Sequence, residues 1–220
     1  MYLIKIPKLV RNYYSEYIWR IPTDKKTIYL TFDDGPTPEV TDWVLAQLKA
    51  FQAKASFFLI GKNVRQHPDI VHRIIDAGHM VGNHSDTHMS GWKTSAKTYL
   101  KDVLSARQTI AEFTGYQTKF FRPPYGKITS QQAKQILKEN EIVMMDVISA
   151  DFDISLSGED CYHNVIRNAR KGSIVLLHDS VKGFGRLEYA LPEILKFFSE
   201  KGFTFSSIPN STMSQKRKKK

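Results

Sequence analysis

Short apolar, β-favouring runs alternate with stretches of helical periodicity along almost the whole chain, and this alternation narrows the fold more than any other feature. The runs fall at Thr27–Phe32, Ala55–Ile60, His79–Gly82, Lys119–Arg122, Ile142–Val147, Ser173–Leu177 and Phe203–Ser207. Between them, Val40, Val44, Leu48 and Phe51 form one apolar stripe at helical spacing. Leu100, Val103, Leu104, Ile110 and Phe113 form another, interrupted only by Arg107. Local punctuation agrees. Pro38 suits the first turn of a helix, Thr129 to Gln132 fits a capping box, and Gly78, Gly115, Gly172 and Gly202 each follow a helical stripe where a C-terminal cap is expected. Strands separated by helices pair in parallel, so the chain is predicted to be α/β, a largely parallel sheet covered by helices. Seven such strands satisfy either an open doubly wound sheet or an incomplete barrel. With no internal repeat and no low-complexity linker, one domain is expected, with an N-terminal segment (1–26) packed on the domain proper (27–208) and a basic tail (209–220).

At 220 residues, 41% hydrophobic and 12% aromatic, the chain can bury a full core, which excludes a disordered protein. The single cysteine, Cys161, excludes an internal disulfide and fits a reducing compartment. The net charge of +10 is concentrated in part at Lys216-Arg217-Lys218-Lys219-Lys220. Such an end is solvated and offers weak attraction to an anionic surface, so no specific nucleic-acid partner is expected. Lys5 and Lys8 interrupt what would be the apolar run of a secretory signal, and no stretch approaches the ~20 apolar residues of a membrane span. A cytoplasmic or membrane-peripheral monomer is expected. The aromatic cluster of Tyr13, Tyr14, Tyr17, Ile18 and Trp19 is read as packing of the N-terminal segment.

The placement of ionisable residues is more telling. Asp33 and Asp34 follow the first strand, His84 and His88 the third, Arg122 ends the fourth, Asp151 follows the fifth and His178 ends the sixth. In parallel α/β folds the carboxyl ends of the strands share one face, where sites are built. Five segments therefore deliver polar groups to one place. His67, His72, His79 and His163 have no such company and read as ordinary exposed or satisfied histidines.

His84-Ser85-Asp86-Thr87-His88 places two imidazoles four residues apart, on one face if the segment makes a helical turn. One carboxylate from Asp33-Asp34-Gly35-Pro36 would complete a two-His, one-Asp set that leaves coordination positions open, as a catalytic ion requires. The second aspartate is then free to act on water. Phe121-Arg122-Pro123-Pro124-Tyr125-Gly126 is a stiff loop whose arginine can orient a carboxylate and whose N–H groups can face an oxyanion. Asp151 and His178 suit a carboxylate–imidazole pair that favours the acid-competent imidazolium.

Taken together, these segments resemble the NodB-homology polysaccharide deacetylases, carbohydrate esterase family 4. Five motifs match in order: Thr31-Phe32-Asp33-Asp34-Gly35, His84-Ser85-Asp86-Thr87-His88, Arg122-Pro123-Pro124-Tyr125, Asp151-Phe152 and Leu176-Leu177-His178. The resemblance implies a distorted (β/α)7 barrel. It implies that Asp34, His84 and His88 hold a divalent metal, usually zinc, with cobalt, nickel or manganese compatible with the same ligands. It makes Asp33 the general base, tuned by Arg122, and His178 the acid that protonates the leaving amine, tuned by Asp151. The Tyr125 N–H would hold the oxyanion, and Tyr125, Phe152 and Leu176 would line the acetyl pocket. The implied substrate is an N-acetylglucosamine-containing glycan such as peptidoglycan or a chitin oligosaccharide.

Two departures bear on substrate preference. Phe152 stands where the family's fourth motif usually carries tryptophan, and Met144-Met145 where a tryptophan often precedes it. Alternatives are an O-acetyl esterase acting on xylan or another acetylated glycan, and an inactive glycan-binding module. A zinc peptidase is disfavoured because Ser85 stands where the helical peptidase motif needs Glu.

Overall fold

A computed structural model describes residues 2–209. In chain order its elements are α1 (Lys8–Tyr13), β1 (Thr27–Asp33), α2 (Val40–Ala50), β2 (Ser56–Leu59), α3 (Gly61–Gln66), α4 (Pro68–Asp76), β3 (Met80–Asn83), α5 (Ala96–Thr114), β4 (Phe120–Phe121), α6 (Ser130–Ile136), β5 (Glu141–Ile142), β6 (Val147–Ile148), α7 (Gly158–Asn168), β7 (Ile174–His178), α8 (Val181–Glu200) and β8 (Thr204–Phe205). The strands lie in the order β5-β4-β3-β2-β1-β7-β6, with β8 against β1, and every ladder is parallel. The sheet curls into the distorted (β/α) barrel that the resemblance implies. Of the basic tail, residues 210–220 fall outside the described residues.

The two-residue period of a strand explains how this barrel presents chemistry at one rim. On β1, Ile28, Leu30 and Phe32 face outward into the large core shared with α2, α4, α7 and α8. On β2, Phe57 and Leu59 do the same, as do Val175 and Leu177 on β7. The intervening residues Tyr29, Phe58, Met80, Phe120 and Ile174 fill the barrel interior. Counting upward by two along the inner rows gives Tyr29, Thr31, Asp33; Met80, Gly82, His84; Phe120, Arg122; and Ile174, Leu176, His178. The interior rows are apolar at the bottom and end, at the top, in ionisable residues. Gly82 is required in its row, because a Cβ there would lie 2.5 Å from the Phe58 ring.

The predicted strand at Ile142–Val147 is two strands, β5 and β6, at opposite ends of the sheet order. Residues 143–146 cross the seam between them. Their groups pair with the N-terminal segment instead of with each other: Ile18 bridges Val143 and Lys5 bridges Val147. Ile6 N–H donates to Asp146 O at 3.0 Å, and Ile148 N–H donates to Ile4 O at 2.9 Å. The buried Asp146 carboxylate anchors the segment through Lys5 at 2.7 Å, Arg20 at 3.4 Å and Arg11 at 3.5 Å. Tyr17 and Trp19 pack against Met144, Met145 and Leu176, while Tyr13 stays exposed. The segment thus closes the barrel.

Boundary signals were met unevenly. Thr129 forms its capping box with Gln132, and Gly115 caps α5 with a left-handed φ of 66°. Helix α2 starts two residues past Pro38, because Glu39 takes a φ of 66°. Gly172 does not cap α7, whose C-cap is Ala169; it turns the chain into β7 and donates its N–H to Thr27 O at 2.7 Å. Among the described residues no helix is long and apolar enough to cross a membrane.

Candidate active site

A cleft of about 520 Å³ opens at the carboxyl ends of the strands. Its wall contains Asp33, Asp34, His84, His88, Tyr125, Phe152, Leu176 and His178; Arg122 and Asp151 stand behind it, fully buried. All ten residues singled out in the sequence therefore converge on one site.

Asp34 Oδ1 lies 3.1 Å from His88 Nε2 and 3.6 Å from His84 Nε2, and one ligand atom from each of the three residues lies within 4.8 Å of the others. The proton arrangement decides what this means. His84 Nδ1 is 2.8 Å from the Arg122 carbonyl, which can only accept, so Nδ1 carries the hydrogen and the Nε2 lone pair faces Asp34. Burial pushes the His84 imidazole below its ordinary value, favouring this neutral form. Asp34 Oδ1 is itself buried and receives no hydrogen bond. The His84 Nε2 lone pair and the Asp34 carboxylate therefore face each other with no proton between them, and a cation at the common point of the three ligand atoms removes that repulsion. The donor set fits a divalent metal, and its mix of imidazoles and one carboxylate suits zinc.

The four-residue spacing of His84 and His88 would put them on one face of a helical turn, but residues 84–88 form a loop. Ser85 and His88 take left-handed φ values of 65° and 60°, which rotate His88 back toward Asp34. Internal polar contacts make up for the missing helical bonds. Asn83 Oδ1 accepts from Ser85 N–H at 2.7 Å, and Ser85 Oγ from His88 N–H at 3.0 Å. Asp102, on α5, accepts from the N–H groups of Asp86 and Thr87 at 3.0 and 3.2 Å and from the Thr87 hydroxyl at 2.8 Å. Asp86 turns away from the site into a two-pronged pair with Arg65, both contacts at 2.8 Å. The remaining nitrogen of His88, Nδ1, meets the Tyr125 hydroxyl at 3.1 Å.

Asp33 and Asp34 reach the same cavity although they are neighbours, because the chain leaves β1 at Asp34 with φ 81°. Asp33 Oδ1 accepts from Arg122 Nη1 at 2.7 Å, while Oδ2 lies 3.7 Å from His84 Nε2. Arg122 is completely buried and its donors are spread over Asp33, Thr31 Oγ1 at 2.7 Å, Val143 O at 3.2 Å and Met144 O at 3.0 Å, with the guanidinium 4.1 Å from the Phe58 ring centre. On the opposite side, His178 Nδ1 donates to Asp151 Oδ1 at 2.8 Å and the His178 N–H donates to Oδ2 at 2.8 Å. Burial by itself would lower the imidazole, but the Asp151 charge and hydrogen bond outweigh it and hold His178 at about 9. The Phe152 ring stands 5.4 Å from His178, edge to face.

Other side chains come to the site only in the folded chain. Asp179 is fully buried beside the site, accepting from Gly35 N–H at 3.1 Å and from the Thr41 hydroxyl at 2.6 Å. Burial, helped by the charge of Asp34, pushes its carboxyl up to about 8. A Cβ at Gly35 would come within 2.1 Å of Asp179 Oδ2, so this contact requires glycine. Tyr2 also reaches the cleft, its ring 5.0 Å from Phe152 and its hydroxyl donating to Asp153 at 2.6 Å. Met145, Lys127 and Lys182 complete the rim. Nothing in the local sequence marks Tyr2 or Asp179, since each acts through a partner more than 130 residues away in the chain.

The family model described as polysaccharide deacetylase matches residues 20–145. A peptidoglycan-N-acetylglucosamine deacetylase of Bacillus cereus is 34% identical over 206 residues, 92% of this chain and 74% of that protein. Among solved structures, the Bc1960 peptidoglycan N-acetylglucosamine deacetylase superposes with a TM-score of 0.83 at 33% identity, covering 90% of this chain and 93% of its own. A family 4 acetyl xylan esterase from Clostridium thermocellum, in complex with a cobalt ion, gives 0.77 at 29% identity over 83% of this chain and 88% of its own.

Proposed function

The chain belongs to the polysaccharide deacetylase family of hydrolases, and on that premise we propose that it removes acetyl groups from N-acetylglucosamine-containing glycans, with peptidoglycan or chitin oligosaccharides as substrates. The observation that carries the reading is the pairing of Asp33 with His178. They are register partners on the adjacent strands β1 and β7, and each is held by its own oppositely charged neighbour. Amide hydrolysis needs a base for water and an acid for the amine in separate places, and this arrangement supplies both in one cleft.

Asp34, His84 and His88 would hold a divalent cation, zinc by preference, with cobalt, nickel and manganese able to use the same ligands. When bound, the cation supplies Lewis acidity to the acetyl carbonyl and to the attacking water. Asp33, fixed by Arg122, takes the proton from water as it adds to the carbonyl carbon. The Tyr125 N–H donates to the carbonyl oxygen as negative charge gathers there. His178, kept protonated by Asp151, gives its Nε2 proton to the nitrogen as the C–N bond breaks, leaving acetate and a free amine. Leu176, Phe152 and Tyr125 offer the acetyl methyl an apolar wall.

A second reading, O-deacetylation of xylan, is favoured by the likeness to the acetyl xylan esterase. The same site serves an ester, whose leaving alcohol needs less help from His178. Acetate released from chito-oligosaccharides, peptidoglycan fragments and acetylxylan in parallel separates the two. Turnover confined to acetylxylan would overturn the amide reading.

A further inference from the structure

Trp92 is 66% exposed yet firmly held. It sits on the short 3-10 turn Gly91–Lys93, four residues beyond His88. Its indole N–H donates to Ile128 O at 3.1 Å, and the Lys127 ammonium lies 5.4 Å from its ring centre. The turn beneath it is rigidly built. Gly91 N–H donates to Lys127 O at 3.1 Å, and Gln132 Nε2 donates to Gly91 O at 2.9 Å and Thr94 O at 3.1 Å. A Cβ at position 91 would meet Lys127 O and Gln132 Oε1 at 2.6 Å. Lys127 itself lines the cleft, so the indole stands one side chain away from the cleft wall.

Leaving this much indole in water forfeits a large apolar contact that folding would otherwise bury. The C–H face of a pyranose ring is a fitting partner: flat, weakly apolar and ringed by hydroxyls that an adjacent ammonium can hydrogen-bond. We propose that Trp92 is a stacking platform for a sugar ring other than the one being deacetylated, with Lys127 bridging platform and cleft. The preferred substrate is then an oligomer or polymer long enough to reach the indole, not a free monosaccharide. This inference rests on the deacetylase reading of the same cleft.

The test is acetate release from N-acetylglucosamine dimers, tetramers and hexamers by the wild type, Trp92→Ala and Trp92→Phe. Losing a stacking anchor of this size predicts a kcat/KM deficit for Trp92→Ala that grows with chain length, about tenfold larger on the hexamer than on the dimer and carried by KM. Trp92→Phe should recover most of it. A deficit equal at all lengths, or none, overturns the subsite and leaves the deacetylase reading standing. A wild type that releases no acetate from any oligomer overturns both.

Discussion

Asp33 and His178 face each other as register partners on β1 and β7, yet the fold surrounds them with opposite charges. Asp33 receives the guanidinium of Arg122 at 2.7 Å, and His178 receives the carboxylate of Asp151 at 2.8 Å. Each partner is fully buried. The supporting charges lie behind the pair, so Arg122 orients the carboxylate and Asp151 favours the imidazolium without either occupying the cleft.

His178 gives this arrangement a pH signature. Its folded value, about 9, is raised above the ordinary 6.5. The stability it contributes is therefore fully present below about 6.5 and lost as pH rises toward 9. An acid role for His178 requires activity to persist to about pH 9 and fall above it. In Asp151→Asn the charge is gone while burial remains, so the alkaline limb of kcat/KM should move down by a unit or more. An alkaline limb that stays put in this variant would show that some other group is the acid.

Arg122 should matter for stability as well as rate. Lysine cannot reproduce a planar fork that reaches Asp33, Thr31 and two carbonyls while lying against Phe58. Arg122→Lys or Arg122→Met leaves buried acceptors unpaired, and a loss of about 3 kcal/mol or more in unfolding free energy is expected from denaturant melts. A loss below about 1 kcal/mol would contradict the role given to this contact.

Asp102 touches no reacting group but holds the loop that aims both histidines. Asp102→Ala should weaken zinc binding by about 10- to 100-fold, the range typical of residues that orient metal ligands. Competition against a chelator of known affinity reads this directly, and unaltered affinity would assign the loop's order to Asn83 and Ser85 alone.

Much of this was legible in the sequence, for identifiable reasons. The alternation of strand and helix fixed the class, and strand-end position brought Asp33, Asp34, His84, Arg122 and His178 together, because inner-row residues at the top of parallel strands must share a rim. The four-residue spacing of His84 and His88 leaves a helical turn and a loop equally open; the left-handed φ at Ser85 and His88 goes with contacts to Asn83 and Asp102 that the spacing does not show. The break between β5 and β6 was hidden because Ile142 to Val147 is apolar at every position except Asp146, and the N-terminal segment, pairing from more than 120 residues away and holding the Asp146 carboxylate, shows where the ladder changes partners. Asp179, between His178 and Ser180, resembles an ordinary capping carboxylate, and its contacts with Gly35 and Thr41 exist only in the folded barrel.

In the proposed mechanism, Asp34, His84 and His88 hold an ion that serves a reaction whose base is Asp33. Acetate release from an N-acetylglucosamine hexamer tests it most directly, in wild-type and Asp33→Asn protein, each stripped with a chelator and reloaded with one equivalent of zinc. The wild type should lose activity on stripping and regain it on reloading. Asp33→Asn should bind zinc yet remain at least ~100-fold slower, the usual cost of removing a general base. Undiminished turnover in the stripped wild type, or in zinc-loaded Asp33→Asn, would contradict it.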